Sequence, residues 1–261
     1  MVGDKLDVLG TRVDLIDNNA VLQFISSTIS TPQLKTRFII YTGFHGLHVA
    51  YKDQSFRKIC NSSDLLCPDG IAPVLIARAL GKKAERAPGP DLLRAFLVSG
   101  HHAGCSSYFL GDTEKTLNEL RRRIEVRYPG HRIAGMYSPP FRSHSQAEVD
   151  CMISAINAAK PDVLWVGLGL PKQERWIFSN LEKLRVPVAI GIGAAFAMEA
   201  GIVSRAPKWV GRSGLEWLWR LGMEPRKLWR RALIEGPSFI FTILRHWQTI
   251  RASNVHKKLH S

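Results

Sequence analysis

The chain has 261 residues, 45% hydrophobic and 22% charged, enough apolar material for a core and too much for a collagen-like, low-complexity or disordered chain. Lys and Arg number 36 against 22 Asp and Glu, a formal charge of +14, which asks for an anionic partner: nucleic acid, an acidic membrane or a phosphorylated substrate. Cys60, Cys67, Cys105 and Cys151 have neither C-x-x-C nor zinc-finger spacing and suit a reducing compartment.

The first dozen residues, with Asp4, Lys5, Asp7 and Arg12, lack the apolar run of a signal peptide. No apolar stretch approaches the ~20 residues that span a bilayer, so a soluble or membrane-surface protein is expected. From there, strand and helix patterns alternate. A strand is expected over 37–42, a helix over 45–60, a short strand over 64–69, and an apolar helix to Leu80 that Gly81 stops. A helix capped by Asp91 begins at Leu92. Then come a strand over 106–111 and a helix over 114–128 capped by Asp112 or Thr113. They are followed by a strand over 132–137, a helix over 145–159, a strand over 162–167, a helix over 171–184 and a strand over 186–192.

Strands alternating with helices of this length imply βαβ units: an α/β fold, a Rossmann-like, mostly parallel sheet flanked by helices. Ligands bind such sheets beyond the carboxyl ends of the strands. Those ends are Thr42, Asp69, Gly111-Asp112, Gly167 to Gln173 and Gly191 to Gly193.

After residue 202 the composition changes. From Arg205 to Ser261 there are twelve Lys or Arg and three Glu, with Trp209, Trp217, Trp219, Trp229 and Trp247. Helices are expected over 214–221, 225–235 and 237–250, the last apolar nearly all round yet too short to span. Basic residues interleaved with Trp suit an interfacial helix on anionic lipid; a helical cap packed on the core is the alternative. The domain division expected is 1–202 for a catalytic domain and 203–261 for a helical appendage.

Several motifs carry chemistry. Gly167-Leu-Gly-Leu-Pro-Lys-Gln-Glu174 follows a buried strand and opens a helix, where free N–H groups meet phosphate. It is not G-x-G-x-x-G, since Lys172 holds the third glycine position, and there is no Walker lysine. Asp69, between Pro68 and Gly70, stands at a strand tip as a general base for a sugar hydroxyl or as an N-cap; both readings are open. Arg86 can hold a phosphate bidentately. His45 and His48 lie one helical turn apart without a carboxylate partner in view, and read as helix-face histidines rather than metal ligands. No Asp-x-Asp offers a divalent metal a place on a sugar nucleotide.

Taken in order, Thr42, Cys67-Pro-Asp-Gly70, Glu85-Arg86 with Gly89 and Asp91-Leu92, Pro171-Lys-Gln-Glu174, Gly191-Ile-Gly193, Arg205-Ala-Pro207 and Leu215-Glu-Trp217 form a specific set. Over about residues 37–235 the chain resembles the bacterial WecG/TagA/CpsF glycosyltransferases, glycosyltransferase family 26. The resemblance implies an inverting, metal-independent transfer of a hexose or N-acetylhexosamine from a UDP-sugar to an undecaprenyl-pyrophosphate-linked saccharide, without a cofactor. It makes Asp69 the general base, and puts Thr42, Arg86 and Gln173 around the nucleotide sugar. Appendage arginines, among them Arg205, Arg212 and Arg220, close over the pyrophosphate, where cationic charge must replace a metal's. It further implies a cytoplasmic protein held peripherally on the inner face of the membrane through the appendage, compatible with a homo-oligomer and without nucleic acid as partner. Two positions depart from the family pattern: Phe44 stands where Asn is usual, and Ala197 where Asp is. The donor sugar is therefore left open.

Overall fold

All six strands expected between Arg37 and Ile192 form. They are β3 (Arg37–Thr42), β4 (Leu65–Pro68), β5 (Ser106–Gly111), β6 (Arg132–Tyr137), β7 (Val163–Gly167) and β8 (Val188–Gly191). The computed structural model describes residues 4–31, 35–207, 210 and 216–255. The chain forms two compact units, the first made of Met1–Asp17, Thr42–Pro88 and Val203–Ser261, the second of Asn18–Tyr41 and Gly89–Ile202.

In the second unit the strands run in the order β3-β8-β7-β5-β6, and every neighbouring pair is parallel. β5, β7 and β8 are buried along nearly their whole length, which is why β7 and β8 read as continuous apolar runs rather than alternating ones. β6, at the edge, is only half-buried. Its Gly135 lies under Tyr108, whose ring would be 2.4 Å from any added Cβ.

Helices α1 (Asn18–Ser30), α5 (Gly89–Ala103), α6 (Glu114–Arg127), α7 (Gln146–Ala159), α8 (Lys172–Asn180) and α9 (Ala195–Glu199) complete this unit. Local chemistry sets their starts. The Thr113 hydroxyl accepts from the Thr116 N–H to cap α6, and Ser145 with Glu148 forms a capping box on α7. Helix α5 starts at Gly89 rather than Leu92; Pro90 fits a first turn that donates no N–H there. Asp91 thus lies inside that turn instead of capping it.

The first unit opens with a hairpin the sequence reading had passed over, β1 (Lys5–Val8) antiparallel to β2 (Thr11–Asp14). Leu9 and Gly10 both have positive φ, 53° and 84°, the two-residue turn that hairpins favour. Leucine hides it, because the usual signal is Asn-Gly. Asp7 Oδ1 supplies the missing support by accepting from the Gly10 N–H at 2.8 Å.

The single helix expected over 45–60 is two, α2 (Phe44–Lys52) and α3 (Gln54–Ser62). Asp53 takes an extended conformation between them, and its carboxylate accepts from the Phe56 N–H to cap the second. Helix α4 (Ile71–Ala79) follows β4, and Gly81 ends it at φ 72°.

The C-terminal stretch is helical as expected, in smaller pieces: α10 (Glu216–Met223), α11 (Pro225–Arg230), a π-helical turn (Arg231–Glu235), α12 (Gly236–Arg245) and α13 (Trp247–Val255). Helix α12 carries apolar side chains on both its buried and its exposed sides. Phe239 and Ile243 are buried, while Ile240, Phe241 and Leu244 are exposed. Phe239 packs near Phe44 and edge-on to His48. Asn254 of α13 exchanges hydrogen bonds with the backbone of Asp7, at 2.9 and 2.8 Å.

Candidate active site

The first unit assembles three of the predicted site residues. β3 ends at Thr42 and β4 at Pro68, and the Asp69 N–H donates to the Thr42 carbonyl at 2.9 Å. The two chains can run this close because the next positions are glycines: a Cβ on Gly70 would lie 3.3 Å from Gly43 Cα. The segment 82–88 returns alongside, with the Ala87 N–H on the Pro68 carbonyl at 2.8 Å and Arg86 Nε donating to the Asp69 carbonyl at 3.3 Å. Thr42, Asp69 and Arg86 are thus one cluster, Thr42 buried and the other two half-buried.

This geometry bears on the N-cap reading of Asp69. The N-cap of α4 is Gly70, and no side chain caps it. The Asp69 carboxylate is not that helix's cap.

Gln173 stands in the second unit, in the first turn of α8. β5, β7 and β8 end there in adjacent glycines, with Gly111 in register with Gly167 and Val166 with Gly191. A Cβ on Gly111, at φ 122°, would meet the Gly167 backbone at 2.6 Å, so only glycine fits that crossing. The Gln173 amide oxygen accepts from the N–H groups of Gly169 and Gly193, at 3.1 and 3.0 Å. Its Nε2 donates to Glu174 Oε1 at 2.8 Å.

Gln173 and Glu174 are both buried, Glu174 completely. Burial pushes the Glu174 carboxyl up to about 7, against the lowering effect of the Gln173 N–H and a backbone N–H. The sequence reading had named Glu174 within its motif without giving it a role. Its signal was there: a carboxylate one residue from Gln173, on the side of α8 that also carries buried Ile177 and Asn180.

Of the appendage arginines, Arg205 is half-buried in the first unit. Arg220 lies on α10, and Arg212 is outside the described residues. His45 and His48 do not make a ligand pair. His45 Nδ1 is 2.6 Å from Glu235 Oε2, a partner the sequence distance of 190 residues had concealed, and His48 is buried beside Phe239. Among the described residues no group of three or more His, Cys, Asp or Glu is arranged to hold a metal ion. Nor is any described helix long and apolar enough to cross a membrane. Phe44, at a position where the resemblance expected Asn, belongs to the aromatic contact with Phe239.

The model of the glycosyl transferase WecG/TagA/CpsF family matches residues 6–253. A protein of Bacillus spizizenii strain W23 named N-acetylglucosaminyldiphosphoundecaprenol N-acetyl-beta-D-mannosaminyltransferase is 29% identical over 238 residues, 90% of each chain. A Bacillus subtilis strain 168 protein of the same name is 28% identical over 91% of this chain and 86% of its own length. One from Staphylococcus aureus strain MW2, also so named, is 26% identical over 95% of each.

Proposed function

The chain belongs to the WecG/TagA/CpsF glycosyl transferase family, and from that premise we propose that it transfers a hexose or N-acetylhexosamine from a UDP-sugar to an undecaprenyl-diphosphate-linked saccharide. The relatives' names specify an N-acetylglucosaminyl-diphosphoundecaprenol acceptor and a transferred N-acetylmannosamine; the acceptor is the chemistry we carry over, in the assembly of a cell-surface polysaccharide. The observation that carries the reading is Asp69: a carboxylate at a strand tip, tied by its backbone to Thr42 and Arg86 and not used as a helix cap.

In this reaction Asp69 takes the proton of the acceptor hydroxyl as its oxygen attacks the anomeric carbon. The new glycosidic bond forms as the bond to the UDP oxygen breaks on the opposite face, so configuration inverts and UDP leaves with the electron pair. Thr42, Arg86 and Gln173 bind the donor. Negative charge on the departing diphosphate is met by arginines, Arg86 and, from the C-terminal segment, Arg205, Arg212 and Arg220. Residues 1–202 then supply the catalytic domain. Residues 203–261 hold the protein peripherally on the inner, cytoplasmic face of the membrane, where the acceptor lipid resides. The exposed Ile240, Phe241 and Leu244, with Arg245 on the same helix, suit a headgroup layer.

The test offers a panel of UDP-sugars with a short-chain N-acetylglucosaminyl-diphospholipid, with and without EDTA. We expect UDP release coupled to a disaccharide lipid of inverted configuration, at a rate the chelator leaves unchanged. A magnesium or manganese requirement would overturn the arginine-for-metal mechanism, and absence of any sugar transfer would overturn the reading.

A further inference from the structure

Three hydrogen bonds leave the Gln173 side chain little freedom. Its Oε1 uses both acceptor sites on the N–H groups of Gly169 and Gly193, one in the loop after β7, the other in the loop after β8. Turning the amide over would set its NH2 against those two donors, so the pair of glycines decides which end is oxygen. Among the described residues, the hydrogen bond made by Nε2 is to Glu174 Oε1. Glycine at 191 makes room for this bridge, since a Cβ there would come within 3.1 Å of Nε2.

Glu174 is an expensive residue for its place. It is fully buried, its Oε2 has no hydrogen-bond partner among the described residues, and the charged form is disfavoured enough to raise its carboxyl to about 7. An unpartnered buried carboxyl costs stability that an apolar side chain of the same length would not. Its side-chain hydrogen bond among the described residues is with the residue that bridges the two loops.

We propose that Glu174 is a positioning residue, which fixes the Gln173 amide and so holds the two glycine loops at the ends of β7 and β8 in the geometry that binds the donor. The kinetic part of this inference rests on the UDP-sugar reading above; the structural part does not. Glu174 touches no substrate in this scheme. It acts through Gln173, and removing it frees the amide to rotate away from the glycine N–H groups.

Glu174→Met keeps the volume and removes the acceptor. Amide hydrogen exchange at residues 169 and 193 should then accelerate at least about tenfold, because their hydrogen bonds open locally. The KM for the UDP-sugar should rise about tenfold with kcat changed less than about threefold, as lost ground-state binding requires. Thermal stability should stay level or rise. Glu174→Gln, whose carbonyl still accepts from Nε2, should restore both the protection and the KM.

Gln173→Leu should reproduce the exchange change, and the double variant should add nothing to it. Unchanged exchange at both glycines in Glu174→Met overturns the inference; if that variant fails to fold, unchanged exchange in Glu174→Ala, which also lacks the acceptor, does so. Exchange is measured without substrate. Accelerated exchange in a protein that transfers no sugar therefore supports the positioning role while the functional reading fails.

Discussion

Asp69 and Glu174 are both carboxylates at the start of a helix that follows a strand, and their surroundings give them opposite tasks. Asp69 is half-buried with its backbone N–H and carbonyl engaged, and in the proposed reaction its carboxylate takes the proton of the acceptor hydroxyl. Glu174 is fully enclosed and bound to a neighbouring amide. Asp69→Asn keeps the shape and the backbone bonds but cannot take a proton. We expect kcat to fall about 100-fold or more, the usual worth of general-base assistance, with the melting temperature held. A near-normal rate in a steady-state assay would remove Asp69 from the mechanism. Phe44 shows the same dependence on surroundings: its ring faces Phe239, so a position where Asn was expected serves packing here.

Among elements, α2 joins its neighbours through two histidines. Burial pushes both imidazoles below the ordinary value of 6.5; for His48 Lys52 adds to the effect and Glu235 opposes it, while for His45 Arg231 adds and Glu235 opposes. A depressed histidine favours the folded state above 6.5 and gives up that stability as pH falls, since the unfolded chain takes the proton first. Glu174, raised to about 7, acts with the opposite sign: its contribution is lost as pH rises from the ordinary carboxylate range through 7. The two slopes offset each other in the wild type, so a variant must separate them. The melting temperature of His48→Met relative to wild type should be higher at pH 5.5 than at pH 7.5. An equal difference at both pH values in calorimetry would show that His48 does not carry the slope.

For the whole molecule, the C-terminal segment matters most. An appendage that merely covers a finished domain could be deleted without cost to the rest. Here Phe239 packs beside Phe44 and His48, Glu235 meets His45, and Asn254 binds the backbone of β1. Cutting the chain after Ile202 should expose those partners and destabilise the first unit, so truncation cannot test membrane attachment cleanly. Replacing Ile240, Phe241 and Leu244 together by Ser can, because all three are exposed while Phe239 and Ile243 stay in place. We expect the triple variant to stop sedimenting with anionic vesicles at low salt, yet to keep its melting temperature and its activity on a short-chain acceptor. Undiminished vesicle binding would assign the membrane contact elsewhere.

The sequence by itself determined the parallel α/β architecture and the place of its six parallel-sheet strands to within two residues, because buried strands are largely apolar and are punctuated by Gly, Pro and capping residues. Its motifs, through the family resemblance, also named the candidate residues Thr42, Asp69, Arg86 and Gln173, of which Thr42, Asp69 and Gln173 stand at or just beyond strand ends, where such folds bind ligands. What only the tertiary structure decided were pairings between residues far apart in the chain. His45 with Glu235, Phe44 with Phe239 and Asn254 with Asp7 leave no local periodicity. Nor does sequence state the burial that makes Glu174 a strained carboxyl rather than a surface one. The hairpin at Leu9-Gly10 and the break at Asp53 were local but weakly marked: the first lacks the usual turn residue, and the second interrupts an apolar pattern that continues on both sides. In each case a backbone N–H donating to an Asp side chain, Asp7 or Asp53, tipped a backbone choice that composition left balanced.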